Sequence, residues 1–523
     1  MRFERSSGII LHPSSLPGAY GIGDLGPQAH RWIDFLARCR FGLWQIIPLG
    51  PTGYGDSPYQ CFSAFAGNPY LISPQVLFED GLLQAQDLEN LPDFPQTHVD
   101  FGRVIPWKLN LLDKAFASFQ KKISPEMVNS YEHFYQAQAS WLDDFTLFMA
   151  LKEAHHGAAW TSWQPELRDR DPQALSRAVK QLEVNIRRQS FRQLIFFRQW
   201  KTLRKRADEQ NIKIIGDIPI FVAHDSADVW ANPELFYLKD NGLPKVVAGV
   251  PPDYFSPTGQ LWGNPLYRWR VHKSTAYNWW QQRIRSALEL VDIIRLDHFR
   301  GFAGYWEVPG KAKTAEIGRW VRGPGKEIFQ VIRQSLGELP IIAEDLGVIT
   351  KDVEKLRDDL GYPGMKIVQF SFEGNPKDPF LPHNYPRNCV VYTGTHDNDT
   401  AQGWYERVSE EKRDFCRRYL NSDGINIAWD MIRAAWASVA SVAIAPMQDF
   451  LNLGNEARMN HPGNPSGNWT WRMSQESMDI ELEGRIRELN YLFDRESNEL
   501  SQEFIHSIDQ FSQRTGLQDH IAI

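Results

Sequence analysis

Cysteine is scarce. There are four in 523 residues, Cys39, Cys61, Cys389 and Cys416, far apart, with no C-x-x-C pair and no histidine at zinc-ligand spacing. That excludes a disulfide scaffold and leaves buried thiols in a reducing cytoplasm as the expectation. Long apolar runs are missing too: none approaches the roughly 18 residues of a membrane span. The opening Met1-Arg2-Phe3-Glu4-Arg5 leads into a strand-like run too short for a signal-peptide core. Positive charge is not in excess. A formal net charge of −7 and a pI near 6.1 argue against a phosphate-binding surface, and so against nucleic acid. No G-x-x-x-x-G-K-[ST], G-x-S-x-G or H-E-x-x-H points to phosphate, serine-esterase or zinc-protease chemistry. His155-His156 is an adjacent pair that cannot face one way on a helix, so a surface position is expected. Repeats, low-complexity tracts and Gly/Ser linkers are absent.

Aromatic residues, by contrast, are abundant: 19 Trp, 17 Tyr and 30 Phe. Many lie beside Gly, Asn and Pro, outside periodic segments, as with Trp262, Trp306, Trp404, Tyr405, Trp469 and Trp471. Flat rings stack on the C–H faces of sugars, although aromatics also fill cores and interfaces.

Short apolar runs bounded by Gly or Pro read as buried parallel strands. Eight are found: Gly8–His12, Leu43–Leu49, Ile212–Ile220, Val291–Asp297, Pro340–Glu344, Met365–Phe372, Cys389–Gly394 and Val439–Met447. Helical patterns follow at Ala29–Cys39, Tyr277–Leu290, Lys326–Leu336 and Lys351–Leu360, the last with Thr350 as a cap and Gly361 as its stop. The expected fold is α/β, a (β/α)8 TIM barrel with large inserted, mainly helical subdomains and no C-terminal β-domain. Strand counting does not show closure, so a doubly wound open sheet is the competitor. The expected organisation is one catalytic domain over 1–523. A largely helical inserted subdomain is placed at 70–205 and a substrate-covering insertion at 222–275, since gaps of that length are not ordinary loops.

Carboxylates fall at the carboxyl ends of four strands: Asp217, Asp297, Glu344 and Asp397. Barrels do their chemistry at that end, whereas a single such acid is usually a turn former or cap. Arg295 and Asp297, two apart on a strand, share a face. A guanidinium there favours an ionised carboxylate, as a nucleophile requires, though a structural ion pair fits as well. Glu344 follows Ile341-Ile342-Ala343, and an apolar setting would keep it protonated as a proton donor. Two carboxyls of contrasting ionisation are the minimum for glycoside cleavage. His396 and Asp397 could grip sugar hydroxyls, or simply hydrogen-bond at a strand end.

Ten ordered segments then carry a family resemblance. The N-terminal ones are Ser14-Ser15-Leu16-Pro17-Gly18, Ser57-Pro58-Tyr59, Phe65-Ala66-Gly67-Asn68-Pro69 and Gly216-Asp217-Ile218-Pro219-Ile220. They continue with Gly249-Val250-Pro251-Pro252-Asp253-Tyr254-Phe255, Gln260-Leu261-Trp262-Gly263-Asn264-Pro265, Arg295-Leu296-Asp297-His298-Phe299-Arg300 and Ala343-Glu344-Asp345-Leu346-Gly347. Gly394-Thr395-His396-Asp397 and Gly467-Asn468-Trp469-Thr470-Trp471-Arg472 complete the set. With them the chain resembles the amylomaltase (4-α-glucanotransferase, disproportionating enzyme) family over most of its length. The resemblance implies a retaining transfer of α-1,4-glucan segments among glucans and maltooligosaccharides, with ring closure of a long chain as its intramolecular form. It implies Asp297 as nucleophile, Glu344 as acid/base and Asp397 as holder of the distorted ring. Arg295 and His396 would support the subsite before the cleaved bond. Tyr59, Asp217, Trp262 and Asn464 are implied sugar contacts, and Val250–Leu261 a lid over the acceptor side. No metal, cofactor, nucleic acid or membrane is expected, and the cytoplasm is the expected location. Two readings compete: an α-amylase-clan hydrolase of the same glucans, and a non-catalytic glucan-binding protein.

Overall fold

Eight apolar segments pair side by side, all parallel, and their ends meet. The computed structural model describes residues 3–121, 125–252, 256–464 and 466–497. The strands are β1 (Ser6–Ile10), β2 (Leu43–Gln45), β3 (Lys213–Pro219), β4 (Ile293–Asp297), β5 (Ile341–Ala343), β6 (Gly364–Ile367), β7 (Cys389–Tyr392) and β8 (Val442–Pro446). They run in the order β6-β7-β8-β1-β2-β3-β4-β5. At the remaining seam, Ala343 N–H donates to Pro363 O at 2.9 Å. Asp345 Oδ1 reinforces it by accepting from Met365 N–H at 2.7 Å. All eight expected strands are present, and the closed seam excludes an open sheet.

Side chains alternate across each strand. The inward set, including Ile10, Leu43, Ile215, Ile293, Ile342, Met365, Val390 and Val442, forms one buried plug inside the barrel. The outward set, including Ile9, Trp44, Ile214, Ile294, Ile341, Val391 and Ala443, joins the larger core beneath the helices. Continuing the inward face of β3, β4 and β5 past the plug brings Asp217, then Arg295 and Asp297, then Glu344. Polar chemistry thus sits on an apolar floor.

The helices lie close to expectation, at Pro27–Arg38, Asn278–Leu290, Lys326–Leu336 and Lys351–Leu360. The first buries Ala29, Trp32, Ile33 and Leu36, the spacing of one helical face. Gly361 ends the last with φ 73°, a left-handed stop that glycine adopts without strain. Thr350 is at the cap position, but its side chain bonds the Asp352 side chain and not a first-turn amide. Between β2 and β3 stand the helices Phe101–Lys121, Pro125–Ala154 and Glu183–Glu209 with shorter ones. The last packs on the 67–73 segment through two glutamines. Gln193 exchanges bonds with Gly67 N–H and O (2.8 and 2.9 Å), and Gln199 with Ser73 (2.7 and 3.3 Å). A Cβ on Gly67 would fall 1.9 Å from the Phe196 ring.

Residues 222–275 are not a plain loop. Val246–Val250 and Gln260–Pro265 form an antiparallel sheet with Gly304–Pro309 and Arg319–Arg322, which follow β4. Asp253, Tyr254 and Phe255 of the expected lid, and residues 498–523 at the end of the expected domain, lie outside the described residues. Beyond β8 the described residues contain helices and no strand.

The inserted helices are fastened by a buried cation. Lys108, in Phe101–Lys121, donates to Ile72 O at 2.8 Å and stands 3.8 Å from Asp24 Oδ2 after β1. Burial pulls its ammonium down to about 8 and pushes the Asp24 carboxyl up. Lys108→Met leaves Ile72 O without this donor and takes the cation from beside Asp24, and removing one member of a buried pair costs about 3–5 kcal/mol. The urea midpoint followed by tryptophan fluorescence should fall accordingly; a midpoint equal to the parent's refutes the fastening role.

Candidate active site

Arg295 is the hub of the barrel mouth. Its Nη1 bonds Asp217 Oδ2 and, at 3.0 Å, Asp297 Oδ1. The Asp217 side chain is fully buried and also accepts from Tyr59 O–H at 2.8 Å. Asp217 therefore lies beneath the site, holding Arg295 and Tyr59. The Tyr59 oxygen is also 2.8 Å from His396 Nε2. Tyr59 has one proton, and Asp217 can only accept; Nε2 therefore carries the hydrogen and donates it to the tyrosine oxygen. The Tyr59 ring stacks on His396 at 5.2 Å and meets Trp469 at 5.7 Å.

Asp397 follows His396 and opens toward solvent. Its Oδ2 is 3.4 Å from His396 Nε2, and its Oδ1 accepts from Asn460 Nδ2 at 2.6 Å. Burial opposes its charge, but His396 and the Asn460 bond outweigh this and hold it well below the usual carboxylate range. In return Asp397 lifts His396 against burial.

Asp297 and Glu344 end adjacent strands. The register Leu296↔Ala343 and the bond from Glu344 N–H to Leu296 O, 3.0 Å, set them side by side. Glu344 is pinned by two amides: His298 N–H donates to Oε2 at 2.7 Å and Leu346 N–H to Oε1 at 2.9 Å. His298 reaches this position with φ 52°, a left-handed backbone uncommon outside glycine. Burial, then the Asp297 charge, push Glu344 up to about 8 despite Arg295 and the Leu346 amide. Asp297 is pulled both ways. Arg295 does favour its ionised form, but burial, with Asp217 and Asp397 behind it, outweighs the guanidinium and raises Asp297 to about 6.

Trp262 is half-buried on the accessory sheet, its indole edge-on to His298 at 4.7 Å and its Nε1 on Gln260 Oε1 at 3.2 Å. Asn464 is exposed in a turn, its N–H on His461 O and its carbonyl accepting from Asn468. Its loop reaches the carboxylates through Asn460 instead. Asn460, His298 and the ring of Trp469 are contributors that sequence reasoning did not single out as site residues. His298 directly follows the nucleophile candidate, and Asn460 precedes a His-Pro-Gly turn; neither position alone reveals a contact. Among the described residues no group of three or more His, Cys, Asp or Glu could hold a metal ion.

Residues 11–478 match the family described as 4-alpha-glucanotransferase. A 4-alpha-glucanotransferase of Thermus thermophilus is 50% identical over 495 residues, 93% of this chain and 98% of that protein. One from Synechocystis sp. is 49% identical, over 94% and 98%. Among solved structures, amylomaltase from Streptococcus agalactiae in complex with acarbose superposes with TM-score 0.92 at 38% identity, covering 94% of this chain and 100% of that one.

If Asp297 is the nucleophile and Glu344 the proton donor, a bell-shaped pH profile follows for kcat/KM. Attack by Asp297 needs the ionised form, so the rate rises as pH climbs through about 6. Assistance by Glu344 needs its proton, so the rate falls as pH passes about 8. Initial-rate measurements across that window and beyond both edges are the check; a profile without the alkaline fall refutes the assignment of Glu344.

Proposed function

Since the chain belongs to the 4-α-glucanotransferase family and is a transglycosylating enzyme, we propose that Asp297, Glu344 and Asp397 perform its reaction by retaining double displacement on α-1,4-glucans and maltooligosaccharides. The observation carrying this reading is the side-by-side placement of Asp297 and Glu344 on neighbouring strands. Strands lie about 4.8 Å apart, which suits the roughly 5–5.5 Å between carboxyls in retaining enzymes and not the wider gap that seats a water in inverting ones.

In the first step Asp297 attacks the anomeric carbon and the bond to the leaving 4-oxygen breaks. Glu344 gives its proton to that oxygen. The product is a glycosyl ester on Asp297. Esterification removes the anion that helps keep Glu344 protonated, so its pKa falls and it becomes a base. An acceptor 4-hydroxyl then loses its proton to Glu344 as its oxygen attacks the anomeric carbon, releasing Asp297. Asp397, kept ionised by His396 and Asn460, accepts hydrogen bonds from ring hydroxyls. Arg295, Tyr59 and His396 support that ring, and Trp262 and Asn464 meet sugars further out. Residues 250–252 and 256–261 cover the acceptor side as part of the 222–275 insertion, and the described helices of 70–205 buttress the wall of one catalytic domain. No cofactor enters these steps. We place the enzyme in the cytoplasm, which keeps thiols such as its four unpaired cysteines reduced; no described helix is long and apolar enough to cross a membrane.

Incubation with maltotriose tests the function. Glucose together with longer maltooligosaccharides is expected; a net rise in reducing ends without longer products would make the protein a hydrolase, and no change a binding protein. Trp262→Ala should raise hydrolysis relative to transfer on the same substrate, because an incoming sugar loses a stacking face that water never needed. An unaltered product ratio would leave Trp262 as a packing residue.

A further inference from the structure

We propose that Trp320 is a binding platform for a distant stretch of the glucan chain, outside the subsites flanking the cleaved bond; this rests on the glucan-transfer reading above. Tryptophan is normally mostly buried, yet Trp320 is 44% exposed. One face of its indole is taken, with the Arg300 guanidinium 3.9 Å from the ring centroid. With that face covered, 44% of the residue is still accessible to solvent. The ring is also fixed. Arg300 is 6% exposed and bonds Val348 O and, at 3.4 Å, Gly304 O. Trp306, directly opposite in the ladder, meets Trp320 edge-on at 5.3 Å and is itself held by Nε1 on Ala315 O at 2.9 Å. A rigid, one-sided indole suits the C–H face of a sugar ring, and the exposed Arg322 alongside offers donors to hydroxyls.

The location selects a glucan as the occupant. Arg300 follows the nucleophile in the loop after β4, and Val348 follows the acid/base in the loop after β5, so the platform is continuous with the catalytic rim. Ile317, three residues before Trp320, and Val348, whose carbonyl holds Arg300, are the exposed apolar residues tied to it by chain or by hydrogen bond. A slender chain fits such a strip.

The test compares the parent enzyme with Trp320→Ala and Trp320→Phe on maltotriose and on long-chain amylose. Trp320→Ala should raise KM for amylose roughly three- to tenfold, the scale of one lost stacking contact, with kcat and maltotriose kinetics unchanged. Trp320→Phe should restore most of the loss. Affinity electrophoresis through soluble amylose reads the same contrast without turnover. An unchanged amylose KM and mobility overturns the platform. An equal loss on both substrates also overturns it, since the defect would then pass through Arg300 to the Glu344 loop. A parent that transfers on neither substrate fails the proposed function itself.

Discussion

Three carboxyl groups crowd one barrel mouth, and a single buried guanidinium makes that arrangement tenable. Two like charges about 4 Å apart repel by about 4 kcal/mol at the effective dielectric of a partly buried site. That is enough to move a pKa by roughly three units. Arg295, bonded to Asp217 below and Asp297 above, offsets that repulsion at the level of the nucleophile. His396 does the same for Asp397. The acids nevertheless do not share the cations equally. Asp397 lies beside His396 and bonds the Asn460 amide, and it stays ionised; Asp297, raised first by burial, shares Arg295 with Asp217 and reaches about 6; Glu344, also raised first by burial, bonds no cation and holds its proton to about 8. The order of ionisation follows from who touches which cation.

Position comes from backbone as much as from side chains. Both Glu344 oxygens are held by amides, one of them available because His298 accepts a left-handed conformation. Asp345, the next residue, points the other way and closes the β5–β6 seam through Met365 N–H. The strand that presents the acid is thus pinned to both neighbours, β4 by the ladder and β6 by this carboxylate. Tyr59 contributes similarly from an excursion after β2, spanning Asp217 on β3 and His396 in the turn after β7. Strain and buried polar contacts of this kind persist where surrounding structure over-determines them, and the apolar plug of Ile215, Ile293 and Ile342 supplies that rigid base.

Much of this was legible in the sequence, for a physical reason. Buried parallel strands are nearly uninterrupted apolar runs, so Val291–Asp297 and its seven counterparts announce themselves, and the acids at their ends fall where barrel chemistry occurs. What was hidden depended on three dimensions. The accessory sheet did not show because Val246–Val250 and Arg319–Arg322 are short and rich in glycine and charge at their borders. Its ladder also joins segments on either side of β4. Asn460 meets Asp397 across 63 positions of chain, and an asparagine before a turn reads only as a turn. The effect of Arg295 on Asp297 was legible because the two residues stand two apart on one strand; the burial that raises Asp297 to about 6 was not, since sequence does not show how deep the carboxyl lies.

Transfer instead of hydrolysis is the property that this geometry must still explain. In the mechanism we propose, once Asp297 is esterified, Glu344 becomes a base for whatever hydroxyl lies beside it, and its chemistry does not distinguish water from sugar. Discrimination therefore has to come from residence. A sugar held by stacking and hydrogen bonds reacts as if at very high local concentration, while water competes only as far as the rim admits it. The residues that bear on this choice lie outside the carboxylate cup, on the accessory sheet and the loop after β8. Trp262 links the two levels: its ring rests against His298, whose amide holds Glu344. An acceptor stacked on that indole would settle the contact that orients the base. The base would then be best aligned when a sugar is present, and the same aromatic surface that holds the acceptor would favour reaction with it over water.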